Sequence, residues 1–224
     1  MSLTTYATIR AAILDWQWTQ GGLTDAIIKN DIFPQLWSIM YHGDRTEGMQ
    51  PIEPLRVKAM VSSGTITTDA NGDITIATGV NANWLEFIEI TPVLAGSHSL
   101  NYMDPWSFRK QSDALQNTTP PPVIYTVEGD TLHVAPKVAS TGLSAVWYQK
   151  FTALSADSDT DWIVTNAPHV YMRGGLFLAC DYTQDDRRAQ WRAEFAGAIK
   201  ALNMNDQKRR ASGGTPVARP RAIA

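Results

Sequence analysis

The chain has 224 residues, of which 44% are hydrophobic and 18% charged, and a formal net charge of −3. That composition excludes the disordered class, and a chain this long buries roughly 70% of its unfolded surface without help from a disulfide or a metal. The charge is unevenly spread: residues 1–206 hold 14 basic and all 22 acidic residues, a net of −8, whereas residues 207–224 hold five basic residues and no acid.

Read in chain order, helices come first. Ser2 or Thr4 is a candidate cap for a helix whose Tyr6, Ile9, Ile13 and Trp16 share one face. Gly21-Gly22 ends it, and a short amphipathic piece follows at Leu23–Ile28. Asp31 reads as the N-cap of the next helix, with Pro34 in its first turn and Phe33, Leu36, Trp37 and Met40 on its apolar side. The run from Gly43 to Pro54 stops that helix.

The middle of the chain is strand-like. Arg56 to Thr68 alternates with β-branched residues, and Asn71-Gly72 predicts a hairpin joining Thr65–Thr67 to Ile74–Ile76. Leu85–Ile90 is a further strand. The spacing of its Glu86 and Glu89 implies a bulge or strand end nearby. Asp104-Pro105 opens a short helix to about Leu115, and Thr118–Pro122 is an extended connector. Val123–Val127 and Thr131–Ala135 form a second hairpin around Glu128-Gly129-Asp130, and Leu143–Gln149 is the last strand.

Helices then return. Asn166 is a candidate cap and Pro168 a first-turn residue for a helix carrying Val170, Tyr171, Leu176, Phe177 and Cys180. Asp185 to Arg210 is the clearest helix. Acids stand at its positive end, Lys208, Arg209 and Arg210 at its negative end, and Trp191, Phe195, Ala198 and Leu202 form one stripe. After it, Gly213-Gly214 is a flexible joint, and Pro216 and Pro220 favour an extended chain. The fold class is therefore α+β: a helical core from both chain ends (1–55 and 151–210), a β-rich insertion (56–150) and an extended basic C-terminal tail (211–224).

Candidate chemistry is sparse. Asp157-x-Asp159-x-Asp161 opens like a calcium loop, but Trp162 and Pro168 stand where such a loop needs Gly and Glu. Glu86, Glu89 and Asp104 could be imagined as glycosidase carboxylates, yet scattered strand acids are usually surface groups. His169 lies three helical turns before Cys180, roughly 16 Å, too far for a nucleophile and its base. His42, His98, His133 and His169 show no ligand spacing. Gly174-Gly175 inside a helix points to close helix packing rather than a phosphate loop. No catalytic residue, cofactor or metal is expected. Eight tryptophans suit both a core and subunit contacts. Single Cys180 excludes an intrachain disulfide and fits a reducing compartment. The opening Met-Ser-Leu-Thr-Thr-Tyr lacks a signal-peptide pattern, and no run nears the ~18 apolar residues of a membrane span. A soluble protein made in the cytoplasm is the expectation.

The stretch Leu3–Trp16, the run Asp31–Leu36, and above all Phe151–Ser155 followed by Asp161–Tyr171 and Asp185–Trp191 resemble the head-to-tail adaptor (connector) proteins of tailed bacteriophages. The resemblance covers both helical ends well and the middle loosely. It departs at Tyr41-His42-Gly43-Asp44, which interrupts the family's second long helix. It implies a structural virion protein at the neck, made in the host cytoplasm: a homo-oligomeric, dodecameric ring under the portal protein, contacting a downstream tail or nozzle protein, with phage DNA passing unspecifically through its centre and no membrane involved. It also implies a C-terminal extension lying on the portal, for which Lys208, Arg209, Arg210, Val217, Arg219, Pro220, Arg221 and Ile223 are the candidate portal-binding residues. Two readings from other classes use the β-rich insertion instead: a cell-wall-cleaving neck enzyme, or a glycan-binding module with exposed Trp.

Overall fold

The computed structural model describes residues 3–16, 22–94, 98–115 and 121–211, with side chains to 207. The chain divides into two compact units, Met1–Ala59 with Thr152–Ala224, and Met60–Phe151. The architecture is α+β.

The first unit is helical. Its α1 (Tyr6–Trp16) buries Tyr6, Ile9 and Ile13. Ser2 lies outside the described residues, and Thr4 does not cap it. Thr5 does, accepting from the Thr8 N–H at 3.3 Å while its own N–H donates to Thr8 Oγ1 at 3.0 Å, a reciprocal cap that satisfies two otherwise free donors. Trp16 is 52% exposed rather than part of the core, and stands edge-on to Trp191 at 5.5 Å. The next helical stretch starts earlier than Asp31. Thr24 caps α2 (Asp25–Ile27), which runs through a π-turn (Ile28–Ile32) straight into α3 (Phe33–His42). Asp31 lies inside that π-turn. Phe33, Leu36 and Met40 are fully buried, and Gly43, with φ +76, ends the helix where a side chain would meet the Ile52 carbonyl.

The C-terminal half of this unit contributes α6 (Trp162–Asn166), α7 (Pro168–Thr183) and α8 (Arg188–Ala211). Asn166 does not cap α7, because it is the last residue of α6 and donates to the Trp162 carbonyl; the start of α7 has no side-chain cap. α7 is the centre of the unit, with Val170, Tyr171 and every residue from Gly174 to Cys180 buried. A Cβ on Gly174 would overlap Leu36 Cδ1 of α3 and fall 2.9 Å from Phe195 of α8; one on Gly175 would overlap Ile13 Cδ1 of α1. Three helices therefore approach α7 where it has no side chains. Trp191, Phe195, Ala198 and Ile199 bury the inner stripe of α8, while Leu202 is half-buried. Residues 212–224 lie outside the described residues.

The second unit holds two sheets. A 3-10 turn (Lys58–Met60) leads to β1 (Val61–Thr67), so the strand begins later than the alternation from Arg56 predicts. Then come β2 (Asp73–Thr75), α4 (Ile76–Gly79), β3 (Trp84–Pro92), β4 (Asn101–Tyr102), α5 (Pro105–Leu115), β5 (Ile124–Glu128), β6 (Thr131–Ala135) and β7 (Gly142–Gln149). The sheet orders are β1-β7-β3 and β2-β6-β5-β4. The Asn71-Gly72 turn forms, with Gly72 at φ +81 and the Asp69 carboxylate accepting from the Asn71 and Asp73 N–H groups. It makes no hairpin. β1 pairs with β7 and β2 with β6, so the turn carries the chain from one sheet to the other. The expected irregularity in β3 is present as two register shifts, at Trp84/Glu86 and Phe87/Glu89. The β5–β6 hairpin forms as predicted, and Asp104 caps α5 through the Trp106 and Ser107 N–H groups. Ile66, Ile90 and Leu143 from one sheet share a core with Ile74, Leu132 and Val134 from the other. Phe108 of α5 covers Ile124 and Ala135 on the far side of the second sheet.

The glycine geometry gives a paired prediction. Gly174→Ala should destabilise by about 1–3 kcal/mol, the cost of overpacking a tight core, although alanine is the better helix former. Gly197→Ala, in open space on α8, should instead stabilise by about 0.5–1 kcal/mol. Denaturant titration of both variants checks the pair; equal effects would contradict the packing.

Candidate functional site

The acidic loop that reads like half a calcium site is spent on structure. Its backbone closes the start of α1: the Tyr6 N–H donates to the Asp159 carbonyl at 3.0 Å and the Ala7 N–H to the Asp157 carbonyl at 3.1 Å. The Asp157 carboxylate pairs with the buried Arg10, which also meets Asp25 at 2.9 Å and lies over the Tyr6 ring. The Asp159 carboxylate accepts from the Ser155 and Ala156 N–H groups, and those bonds hold it below the usual carboxylate range. Asp161 caps α6 through the Val164 N–H at 2.7 Å and accepts from the Tyr171 hydroxyl. Burial pushes the Asp161 carboxyl up against those bonds, and burial also raises the Tyr171 hydroxyl well above its ordinary value.

The other expected groups also take structural places. Glu89 accepts from the Ser99 hydroxyl, and Asp104 is the α5 cap, held low first by its hydrogen bonds to Ser107. Cys180 is buried in α7, and His169, at the surface near the start of the same helix, is pushed down by desolvation and by Arg173. Exposed tryptophan does occur in the second unit: Trp106 is 66% exposed, with Lys110 Nζ 3.7 Å from the ring centroid.

One arrangement escaped the sequence. Asp73, His133 and Thr126 stand opposite one another on β2, β6 and β5. His133 Nδ1 lies 2.8 Å from Asp73 Oδ1, and Thr126 Oγ1 has no protein partner. The order acid, imidazole, hydroxyl is that of a nucleophilic relay. Thr126 is fully buried, however, so no substrate reaches it. Thr126 and His133 face each other across the β5–β6 hairpin, but Asp73 lies 60 residues before His133, and only the register of β2 on β6 brings it there. Among the described residues, no three His, Cys, Asp or Glu side chains gather as a metal site, and no helix is long and apolar enough to cross a membrane.

The first unit carries two surface cavities. One, of about 310 Å³, lies where Val57, Trp162 and His169 face Leu202, Asn205 and Asp206 of α8. The other, of about 480 Å³, lies where Gly48–Gln50 face Asp186, Arg188 and Arg192 at the start of α8. Arg192 is buried there, bonding the Asp44 carboxylate at 2.7 Å and the Gln50 carbonyl at 3.0 Å, and the Arg192 bond is the largest influence holding Asp44 low. Of the basic C-terminal residues, Lys208, Arg209 and Arg210 fall in the last turns of α8; Val217, Arg219, Pro220, Arg221 and Ile223 lie outside the described residues.

With no convergent chemistry in view, comparison with known families decides the class. The family described as SU10 adaptor protein matches residues 4–220. The chain belongs to the SU10 adaptor protein family. Membership makes it a phage adaptor-type, structural virion protein. No curated protein matches the sequence. The SU10 adaptor match runs through both units, so the β-rich unit belongs to the family's pattern as much as the helical one does.

Two measurements follow. Adding calcium or EDTA should leave the melting temperature unchanged, since the Asp157–Asp161 carboxylates already have partners. Asp161→Ala should cost about 1–3 kcal/mol through the lost cap and the stranded Tyr171 hydroxyl. Asp161→Asn keeps one acceptor, for the Val164 N–H, and puts an amide donor beside the Tyr171 hydroxyl, which then accepts instead of donating. Because the folded carboxyl is raised above its unfolded value, Asp161 favours the folded state when protonated and loses that advantage as pH rises through the raised value. The Asn variant should therefore gain on the natural protein in melts taken from pH 4 toward neutrality; a constant difference would contradict the burial assigned to Asp161.

Proposed function

We propose that this protein is the head-to-tail adaptor of a tailed phage, a dodecameric ring joining the portal of the capsid to the tail and forming part of the DNA conduit. The observation that carries the reading is the family match, which spans residues 4–220 and so takes in the whole described fold. The charge distribution supports it. DNA has to slide through a conduit, and a wall that neutralised many phosphates would hold it in place. A body of net −8 makes a poor static DNA binder.

The basic end then belongs on protein. The macrodipole of α8 favours Lys208, Arg209 and Arg210 at its C-terminus. Beyond it, Arg219 and Arg221 offer donors to acidic groups of the portal, flanked by Val217 and Ile223 as small apolar anchors, with Pro220 favouring an extended path. Fixing such a segment costs roughly 1–2 kcal/mol of backbone entropy per residue, so one copy binds weakly. A ring of copies gains by multivalency. The downstream face of the ring would receive the tail or nozzle protein.

Deleting residues 211–224 tests this. Circular dichroism and melting should match the full chain, while assembly onto DNA-filled, portal-bearing heads should fail or become salt-labile. Normal yields of infectious particles from the truncated chain would remove the tail as the portal anchor, and imaging of particles without density for this chain at the head–tail junction would remove the adaptor reading itself.

A further inference from the structure

The edges of the two sheets differ in how they are protected. β2 and β4, the edges of the four-stranded sheet, are three and two residues long. β3 is broken by two register shifts, carries Glu86 and Glu89 and ends in Pro92. Its outer side is also occupied by the chain's own next segment, where the Leu100 N–H donates to the Ile90 carbonyl at 2.7 Å and Ser99 bonds Glu89. These are the usual ways of blunting an edge.

β1 has none of them. Its seven residues, Val61–Thr67, hold no charge and no proline, and they pair with β7 without a break from Val61↔Tyr148 to Thr67↔Gly142. The Thr68 N–H donates to the Thr141 carbonyl, and the Val93 N–H to the Gly142 carbonyl on the other side of β7. Antiparallel alternation then turns Ser62, Gly64 and Ile66 toward β7, and leaves the N–H and C=O groups of Val61, Ser63, Thr65 and Thr67 pointing outward. Ser63, Thr65 and Thr67 are exposed, and among the described residues no hydrogen bond satisfies those outward groups.

We propose that β1 is a docking edge that receives an extended strand from a different protein of the assembled particle. The inference rests on the ring reading, because the ring decides the occupant. Copies related by rotation meet through unlike surfaces, so β1 cannot pair with β1 of its neighbour. The neighbour's other strand edges among the described residues are short, bulged or already occupied. A different chain supplies the strand. Its chemistry follows from what flanks the edge: a proline-free stretch of about 5–7 residues, with apolar side chains beside Ile66 and Trp147 alternating with uncharged polar ones beside Ser63, Thr65 and Thr67. Backbone hydrogen bonds hold it, and the alternating side chains select it.

Site-resolved deuterium exchange on the free protein and on purified phage particles tests this. The Ser63, Thr65 and Thr67 amides should exchange quickly in the free protein and at least a hundredfold more slowly in particles. A second arm uses Thr65→Pro, which removes one outward N–H and leaves the bonds to β7 intact, beside Thr65→Val, which keeps it. The proline variant should melt like the natural protein yet enter particles at least tenfold less well; the valine variant should enter normally. Equal exchange in the two states overturns the proposal whatever the variants do. Concentration-dependent dimers of the free protein, abolished by Thr65→Pro, would make a second copy the occupant and overturn it too. Particles that contain the chain with β1 unprotected sink this inference alone, whereas particles without the chain sink the adaptor reading together with it.

Discussion

The first unit depends on the two consecutive glycines in the middle of α7. An interior helix position costs glycine about 1 kcal/mol relative to alanine, and here the cost is incurred twice in succession. What it permits is contact between α7's bare backbone and three neighbours at once: Leu36 of α3 and Phe195 of α8 at Gly174, and Ile13 of α1 at Gly175. Those neighbours come from both ends of the chain. The joining of the N-terminal and C-terminal helices into one core thus rests on a place where side chains are missing. The large residues around it, Tyr6, Phe33, Tyr171, Phe177 and Phe195, fill the space that a wider helix spacing would have left void.

Around that contact the two ends are held in register by buried charge. Arg10 of α1 is neutralised by Asp157, and Arg192 of α8 by Asp44 and the Gln50 carbonyl. Asn203 adds a neutral link, accepting from the Arg56 N–H and donating to the Pro54 carbonyl. Both arginines are buried while their acids reach solvent, Asp157 being 75% exposed, so removing an acid would leave a buried guanidinium short of its partner. The pairs therefore act more as conditions on the correct pairing of the two chain ends than as sources of stability.

Much of this was legible in the sequence, and the failures have common causes. Helix and strand content followed from periodicity, and the Asp104-Pro105 start, the β5–β6 hairpin and the meaning of Gly174-Gly175 were read from local chemistry alone. Local chemistry also set the errors. Asn71-Gly72 makes its turn, but which strands pair is decided by β6 and β7 some seventy residues on, and no turn residue encodes that. Caps failed where several Ser, Thr, Asp or Asn residues competed: Thr24 outdid Asp31, Thr5 outdid Thr4, and Asp161 rather than Asn166 took a cap. The row Asp73–His133–Thr126 was invisible because the distant pairing of β2 with β6 is what adds Asp73 to it. Val217, Arg219, Pro220, Arg221 and Ile223 fall beyond the described residues, so their part in docking rests on charge and family alone.

The acids of the first unit serve the fold. Asp44, Asp157, Asp159, Asp161 and Asp185 are each engaged by arginine, backbone N–H or tyrosine, and most of those bonds fix a helix end or a chain crossing. Those bonds hold Asp44, Asp159 and Asp185 below the usual carboxylate range, whereas burial raises Asp161; the acid–imidazole–hydroxyl row found among the described residues ends in a threonine closed to substrate. At the surface of the second unit, among the described residues, β1 is an uncharged strand edge with the backbone groups of Val61, Ser63, Thr65 and Thr67 turned outward. On the proposed adaptor reading that edge suits its surroundings, because a backbone edge binds an extended segment along its whole length without placing any cation where phosphates could be held.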